Sequence, residues 1–428
     1  MKQGVTPQVA TGIGILVSAE PIPLVVVSRT IVPSSICDIW VTVGNHSLPG
    51  RVVYLGIIAV VTLNGTQLRG ANVLPICAND FKVGERLDLF AIDKTLQLMQ
   101  LQTDIREIAP TACGPFFPPR WRLKNVESLC VLGLQGDDGF LLDPEDKSVV
   151  ALWMNISGIK VGLHYNRYIR PIIEALQNSK ENENRCCGWT FGWMALSDAL
   201  QLGLSDQRAS QIANLVTAIR SVPRPILITG KLRPPALDKD NLRVGDIILE
   251  INGRPVFRMA DIHILSQIKS AQILVLRNRQ ELLVNIDTQL LPSEILSRII
   301  SWAGTLLHET HDSVLEQITP EFEEIAKREG IDDISRSVYI SSMYPGSPAS
   351  LTLFAGHWIL EVDGHKVMTM EDMIHVISTM QHDREYVPVK MIATNGVMNV
   401  RSVKPDPKFW PAWFLEWKDK EWVRTALE

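Results

Sequence analysis

Gly245-Asp246-Ile247-Ile248-Leu249-Glu250-Ile251-Asn252-Gly253-Arg254-Pro255-Val256 decides the fold, because the chain writes it twice. Gly356-His357-Trp358-Ile359-Leu360-Glu361-Val362-Asp363-Gly364-His365-Lys366-Val367 returns to it, 111 residues on from Gly253 to Gly364. The shared core reads x-I-L-E-[IV]-[ND]-G-x-x-V, a strand, a turn and a second strand. Each copy runs on into a helix, Met259 to Ile268 or Met370 to Met380, and then two strands. Those are Ile273 to Leu276 and Leu282 to Ile286 in the first copy, Val387 to Ile392 and Val397 to Val403 in the second. A strand precedes each motif, Pro225 to Ile228 and Val338 to Ile340. An internal repeat of this kind outranks composition as evidence.

Residues 10–165 carry a different pattern. Short β-branched runs at Gly12–Val17, Leu24–Val27, Ile39–Val43, Arg51–Leu55, Ile57–Leu63 and Leu87–Ala91 are punctuated by Pro and Gly. Many short strands at close spacing predict a sandwich or barrel. A later pair, Leu129–Leu134 and Val149–Met154, flanks the turn Gly136-Asp137-Asp138-Gly139. A helical stretch ends near Leu176, and the polar run Asn178–Arg185 reads as a linker.

Composition sets the outer bounds. At roughly 150 residues per domain, 428 residues suggest about three domains. Apolar residues at 46% and charged residues at 21% exclude wholesale disorder. A net charge of -5 is too mild to imply nucleic acid or a membrane as partner. No apolar run approaches the roughly 18 to 20 residues that span a bilayer, and Met1-Lys2-Gln3-Gly4 opens a poor signal peptide. Six cysteines without CxxC spacing predict neither a disulfide scaffold nor a zinc site. His308 and His311 lack a third ligand of suitable spacing and read as structural, so no metal and no cofactor is expected. Together these readings describe a soluble chain from a reducing compartment.

The repeated unit, with Gly346-Ser347-Pro348-Ala349 after the Val338 strand, resembles the PDZ modules of HtrA/Deg proteases. The resemblance implies a loop of apolar-Gly-apolar pattern whose N–H groups hold a peptide carboxylate. Candidates are Phe191, Gly192 and Trp193 in the first module, and Trp302, Ala303, Gly304, Thr305 and Leu306 in the second. The peptide then adds as a strand, with affinity from main-chain hydrogen bonds. Ile262 and Ile264, or Met373 and Val376, line the side-chain pocket in this reading. The same glycines also fit plain turns, and the aromatics plain core. His375 lies where some PDZ helices select a Ser/Thr ligand, and an exposed helix position fits it equally.

The first 165 residues resemble the chymotrypsin-like double barrel of the same family. Pro23–Pro33 falls at the T-N-x-H-V-V segment, Ile57–Val61 at D-L-A-V-L, and Gly136–Leu142 at G-N-S-G-G-P-L. Placed residue by residue, the His position holds Thr30 beside Arg29, the Asp position Ile57 and the Ser position Asp138. None of the three triad chemistries survives. A carboxylate at Asp138 repels the oxyanion that this turn serves to stabilise. A proteolytic alternative needs Ser34 or Ser128 as nucleophile, or a catalytic unit from another chain. His46 and His164, the histidines of this region, sit in no protease-like motif.

Arg51–Leu55, Pro119–Asn125, Ile300–Gly304 and Phe409–Glu416 narrow the resemblance. They are similar to the degenerate second half of the duplicated HtrA-like proteases typified by the fungal nuclear pro-apoptotic serine protease, with a plant Deg relative. The fold expected is mostly β with α+β modules: a trypsin-like double β-barrel over 1–177, PDZ-like domains over 188–290 and 291–405, and a Trp-rich tail over 406–428. The implied partners are peptides or protein C-termini, an active HtrA-type homologue, and a further copy in a homo-oligomer. The implied location is the nucleus or cytoplasm. Trp410, Trp413 and Trp417 lie at helix-compatible spacing, with Trp422 beyond, and are expected to dock the tail onto the second PDZ module.

Overall fold

The computed structural model describes residues 10–44, 46–63, 73–77, 79–93, 95, 97–113, 125–131, 138–178, 185–232, 242–290, 295–380, 385–418 and 421–427. The expected linker over 179–184, the 119–124 stretch and Gly136-Asp137 lie outside them. The chain divides into two compact units, one holding Ala10–Pro115 and Leu123–Ser293, the other Glu294–Glu428.

The first unit opens with β1 (Ile15–Ser18), β2 (Leu24–Ser28), β3 (Ile39–Val43), β4 (His46–Leu55) and β5 (Ile58–Leu63), paired in the order β1-β2-β5-β4-β3. There follow β6 (Arg86–Ile92), β7 (Leu98–Ala112), β8 (Asn125–Val131), β9 (Gly139–Leu142), β10 (Val149–Ile156) and β11 (Ile159–His164). These six close a barrel in the order β10-β11-β8-β7-β6-β9. The barrel is tight at β9, where a Cβ on Gly139 would stand 2.1 Å from the Phe90 carbonyl oxygen. Its interior is Val/Ile/Leu with Phe140 and Trp153, all nearly inaccessible. The strand signal missed β7, whose 15 residues mix apolar and polar side chains without alternation and are mostly exposed at the N-terminal half. After the barrel come α1 (Arg170–Gln177) and β12 (Arg185–Cys186).

The same unit then builds a second sheet. Its strands and helices are β13 (Trp189–Trp193), α2 (Leu196–Gln201), α3 (Asp206–Ala218), β14 (Ile226–Lys231), β15 (Ile247–Ile251), β16 (Arg254–Pro255), α4 (Met259–Ile262), β17 (Ser270–Arg277) and β18 (Gln280–Asp287), after which β19 (Gln289–Leu290) pairs with β12. The order is β13-β14-β15-β17-β18, with β13 at one end. The helix expected to reach Ile268 stops early, and His263–Ser266 tightens into a single 3₁₀ turn.

The second unit holds β20 (Arg298–Trp302), β21 (Thr305–Glu309), α5 (Asp312–Leu315), α6 (Pro320–Arg328), β22 (Val338–Met343), β23 (His357–Val362), β24 (His365–Lys366), α7 (Met370–Thr379), β25 (Val387–Ala393), β26 (Met398–Val403), β27 (Trp413–Lys418) and β28 (Glu421–Ala426). One sheet runs β26-β25-β23-β22-β21-β20-β27-β28. In both units the x-I-L-E strand ends in a turn with both central residues at positive φ. These are Asn252 at 51° with Gly253 at 74°, and Asp363 at 52° with Gly364 at 80°. That is the twist a two-residue hairpin requires, and Asn-Gly and Asp-Gly tolerate it best. Thr369 and Asp372 then form a reciprocal cap that starts α7.

The tail departs from its expected helix. Trp413, Trp417 and Trp422 lie on an antiparallel hairpin in which Trp417 faces Trp422, Trp410 precedes it, and β27 continues the sheet from β20. A spacing of three or four residues between large apolar side chains fits a helix on paper. Here Pro411 and the ladder offered by β20 favour extended backbone.

α6 is rich in charged residues, yet two of its residues, Phe322 and Ala326, are fully buried. Phe322 meets the Trp358 ring at 4.5 Å, Tyr339 meets it at 5.1 Å, and the indole N–H donates to Thr310 Oγ1 at 2.7 Å. Replacing Phe322 by Ala should destabilise the second unit by about 3–5 kcal/mol. A urea titration followed by Trp fluorescence checks this, and an unchanged midpoint would show that α6 is dispensable to the core.

Candidate functional site

Two regions carry the residues singled out by sequence, and the first is the barrel region. Ser28 at the end of β2 faces Ile58 at the start of β5, which brings Arg29-Thr30 beside Gly56-Ile57. Arg29 is buried, and its guanidinium donates to the Gly56 carbonyl at 2.7 Å and the Pro33 carbonyl at 3.3 Å. Thr30 is exposed and Ile57 buried. An arginine donating to a backbone carbonyl thus ties these two corners together.

Asp138 immediately precedes β9 and is buried, 4% exposed. Lys160 of β11 reaches it with Nζ–Oδ1 at 2.5 Å, while Oδ2 has no hydrogen-bond partner among the described residues. The sequence flagged Asp138 but not Lys160, which lies 22 residues on in an unremarkable hairpin strand. A buried carboxylate that keeps its charge needs such a cation.

Among the described residues, neither serine offered as an alternative nucleophile is hydrogen-bonded to a histidine. Ser128 is 1% exposed and shares a 2.6 Å hydrogen bond with Thr111. Ser34 Oγ accepts from the Ile36 N–H. His46 lies on the β3–β4 hairpin. His164 is buried beside Phe81, with Nε2 3.8 Å from Asp80.

An ion network joins the barrel to the second sheet of the first unit. Arg258, which caps α4, donates from Nε to both Glu127 oxygens at 2.9 and 3.2 Å and from its terminal nitrogen to Oε1. Asp80 lies 3.6 Å from Arg258 and binds Arg167 at 2.6 Å. Asp261 accepts from the Phe257 and Arg258 N–H groups, and burial raises its pKa.

The second region is the pair of candidate peptide loops. Leu227 of β14 faces Ile247, just as Tyr339 of β22 faces Trp358, each before its I-L-E run. The strand beyond carries a bulge in each sheet, at Thr190/Phe191 and at Leu306/Leu307. Trp189–Trp193 therefore occupies the place of Thr305–Glu309.

This register moves the first loop. Phe191, Gly192 and Trp193 lie within β13, facing Ile228, Leu227 and Ile226, and do not form a loop. The counterpart of Trp302-Ala303-Gly304-Thr305 is Cys186-Cys187-Gly188-Trp189. Gly188 has φ 74°, close to the 85° of Gly304. Both stretches carry a glycine beside an aromatic residue, so the apolar-Gly-apolar pattern alone does not separate Gly188 from Gly192. Gly188 precedes the aromatic Trp189 at a turn of positive φ.

The two strands differ in what meets their outer edge. At β13 the Phe191 carbonyl accepts from the Asn125 side chain at 2.7 Å. At β21 the outer edge is paired along Thr305, Leu306 and Leu307, which face Trp302, Ser301 and Ile300 of β20. Trp302, Ala303 and Thr305 are 3%, 1% and 0% exposed, and Leu306 is half-buried. A Cβ on Gly304 would meet Ser347 at 2.1 Å, so the turn is pressed onto its neighbour. Met373 and Val376 of α7 belong to the core cluster of this sheet, and Ile262 to that of the first.

His308 and His311 stack at 5.4 Å, and His308 Nδ1 meets the Glu309 carbonyl at 2.6 Å. Among the described residues no group of three or more His, Cys, Asp or Glu is placed to hold a metal.

A PDZ-domain family profile matches residues 205–276. The chain is 25% identical over 443 residues to the pro-apoptotic serine protease NMA111 of Chaetomium globosum, covering 97% of this chain and 41% of that protein. Against the protein of the same name from Ajellomyces capsulatus the identity is 25%, with 94% and 39% covered. The chain thus spans about two fifths of the length of these relatives. Among solved structures, the HtrA-type protease AlgW with decapeptide is 14% identical with a TM-score of 0.44, covering 65% of this chain and 82% of that one. No helix among the described residues is long and apolar enough to cross a membrane.

Two measurements test the barrel region. Lys160→Met should cost about 3–5 kcal/mol by leaving Asp138 buried and unpaired, and adding Asp138→Leu should restore most of the loss. A double variant no more stable than the single one would mean the pair is not coupled. Burial pushes His164 down to about 4, and His263, packed on Tyr168 at 4.9 Å, likewise. Both stay neutral in the folded chain while the unfolded chain takes up protons near 6.5. Their contribution is therefore whole above pH 6.5 and declines as pH falls towards 4, by up to about 3 kcal/mol each. Urea midpoints of the first unit between pH 4 and 8 should drop on the acid side, less steeply in His164→Gln.

Proposed function

We propose that this chain, a PDZ-containing relative of the HtrA-like serine proteases, is a scaffold without triad chemistry that binds peptides or protein C-termini. The observation that carries the first half is the Asp138–Lys160 ion pair. At the position of the nucleophile it sets a buried, cation-bound carboxylate, which offers neither a hydroxyl nor a site for an oxyanion. Arg29 on the Gly56 carbonyl supports the same reading, since a guanidinium is no general base at neutral pH.

For the second half, the two sheets are read as PDZ-like modules over 188–290 and 291–405. In the first, Cys186–Trp189 is the carboxylate loop and Trp189–Trp193 the strand to which a peptide adds. The positive φ of Gly188 supports this, because it lets successive N–H groups turn towards one anion. Phe191 and Trp193 then lie along the bound peptide, and the peptide replaces Asn125 as donor to the Phe191 carbonyl. An active homologue of the same family is the proposed protein partner, a homo-oligomer the proposed assembly, and the nucleus, by kinship, the proposed location.

A second reading, serine endopeptidase activity with a catalytic unit from another chain, is favoured by one observation. The relatives are named serine proteases, and this chain covers only 41% of the first of them.

The purified chain should show no labelling by a fluorophosphonate probe and no casein hydrolysis, yet change the casein rate of an active homologue when mixed with it. Labelling at any serine would overturn the first half. A fluorescent peptide pool with random last four residues should bind with a free carboxylate and not as the amide, and Gly188→Val should weaken it at least tenfold. Equal binding by acid and amide would overturn the second half.

A further inference from the structure

A peptide that joins a PDZ-type groove lies antiparallel to one strand, with alternate side chains in the cleft between strand and helix. In the second unit that place is taken. β20 lies antiparallel to β21, reached through the two-residue turn Ala303-Gly304 with φ of 51° and 85°. Its alternate residues Ile300 and Trp302, 0% and 3% exposed, enter the same core cluster as Met373, Val376 and Ile377 of α7. Arg298 at its other end is ion-paired with Glu371 of α7. Strand edge, cleft and helix are all engaged by one five-residue segment.

The tail holds that segment from behind. Arg298, Ile299, Ile300 and Ser301 face Glu416, Leu415, Phe414 and Trp413 of β27, and Arg298 lies 3.6 Å from the Glu416 carboxylate. Leu427 joins the core cluster and its N–H donates to the Ala412 carbonyl at 3.0 Å. Trp410 stacks on Tyr344 at 5.9 Å beside the turn.

We propose that the second module carries its own ligand: β20 is a built-in occupant of the peptide groove, locked there by the β27–β28 hairpin. The inference rests on the PDZ-like reading of both sheets. It assigns the chain one open peptide site, in the first module, and one that is filled until the hairpin is released. The physical contrast is clear. The β13 edge meets a side-chain donor from Asn125, whereas the β21 edge meets a continuous ladder.

The probe is a fluorescein-labelled hexapeptide with the sequence Ser297 to Trp302 and a free carboxylate, used in a Gly188→Val background that silences the first site. The full chain should not bind it. The chain ending at Asp406 should bind at least tenfold more tightly, and so, to a smaller degree, should full-length Arg298→Glu, which sets β20 against Glu371 and Glu416. Arg298→Glu keeps the test valid should the shortened chain fail to fold by circular dichroism. Binding by the full chain as tight as by the variants would overturn the inference, because the groove would then be open. Absence of binding in every variant would overturn it equally. Neither result touches the first site, which the acid-against-amide comparison decides separately.

Discussion

Every second N–H and C=O of a strand with one unpaired edge must find a partner outside its sheet. Much of this structure follows from how that demand is met at β13 and at β21. The two strands hold the same place in their sheets and the same bulge, and they differ in the groups offered to them. One receives an amide from Asn125, the other a whole antiparallel strand backed by a hairpin. A backbone edge can be extended by any strand of suitable reach. The identity of the occupant is therefore set by local chain connectivity more than by the strand's own side chains.

The barrel shows a related economy. Its strands approach closely at β9, where Gly139 lies against the Phe90 carbonyl. Once a carboxylate stands there, burial demands a cation, and Lys160 supplies it. The corner where Arg29 binds the Gly56 carbonyl follows the same logic. In both places a hydrogen-bonded or ionic tie holds the scaffold together.

Legibility in the sequence tracked the range of the interaction concerned. The two I-L-E motifs, their Asn-Gly and Asp-Gly turns and the helix cap at Thr369 are local, and their period and turn chemistry place them within a residue or two. The β-branched runs before residue 92 are local in the same sense. β7 was illegible because its mostly exposed N-terminal half mixes Leu98, Met99 and Leu101 with polar residues, so no alternation marks it. That Gly188 holds the place of Gly304 was illegible for another reason: the correspondence rests on register across the sheet, which the apolar-Gly-apolar pattern does not carry. Lys160 and Arg258 find their partners 22 and 131 residues away, and a single sequence holds no trace of such pairings. The tail tryptophans illustrate the remaining failure, in which a spacing fits two periods and only the neighbouring strand chooses between them.

The order in which the second sheet can be assembled follows from where its strands lie along the chain. β20 and β21 are adjacent in sequence and close a hairpin at once, whereas β20 meets β27 across more than 110 residues, from Ser301 to Trp413. Loop closure over that length is slow compared with a two-residue turn, so this pairing forms late. During synthesis β20 waits with one edge bare until residues 413–416 have been made, and a bare edge is the surface on which strands from other molecules add. The hairpin that completes the sheet thus also ends the interval in which the nascent chain is most prone to aggregate.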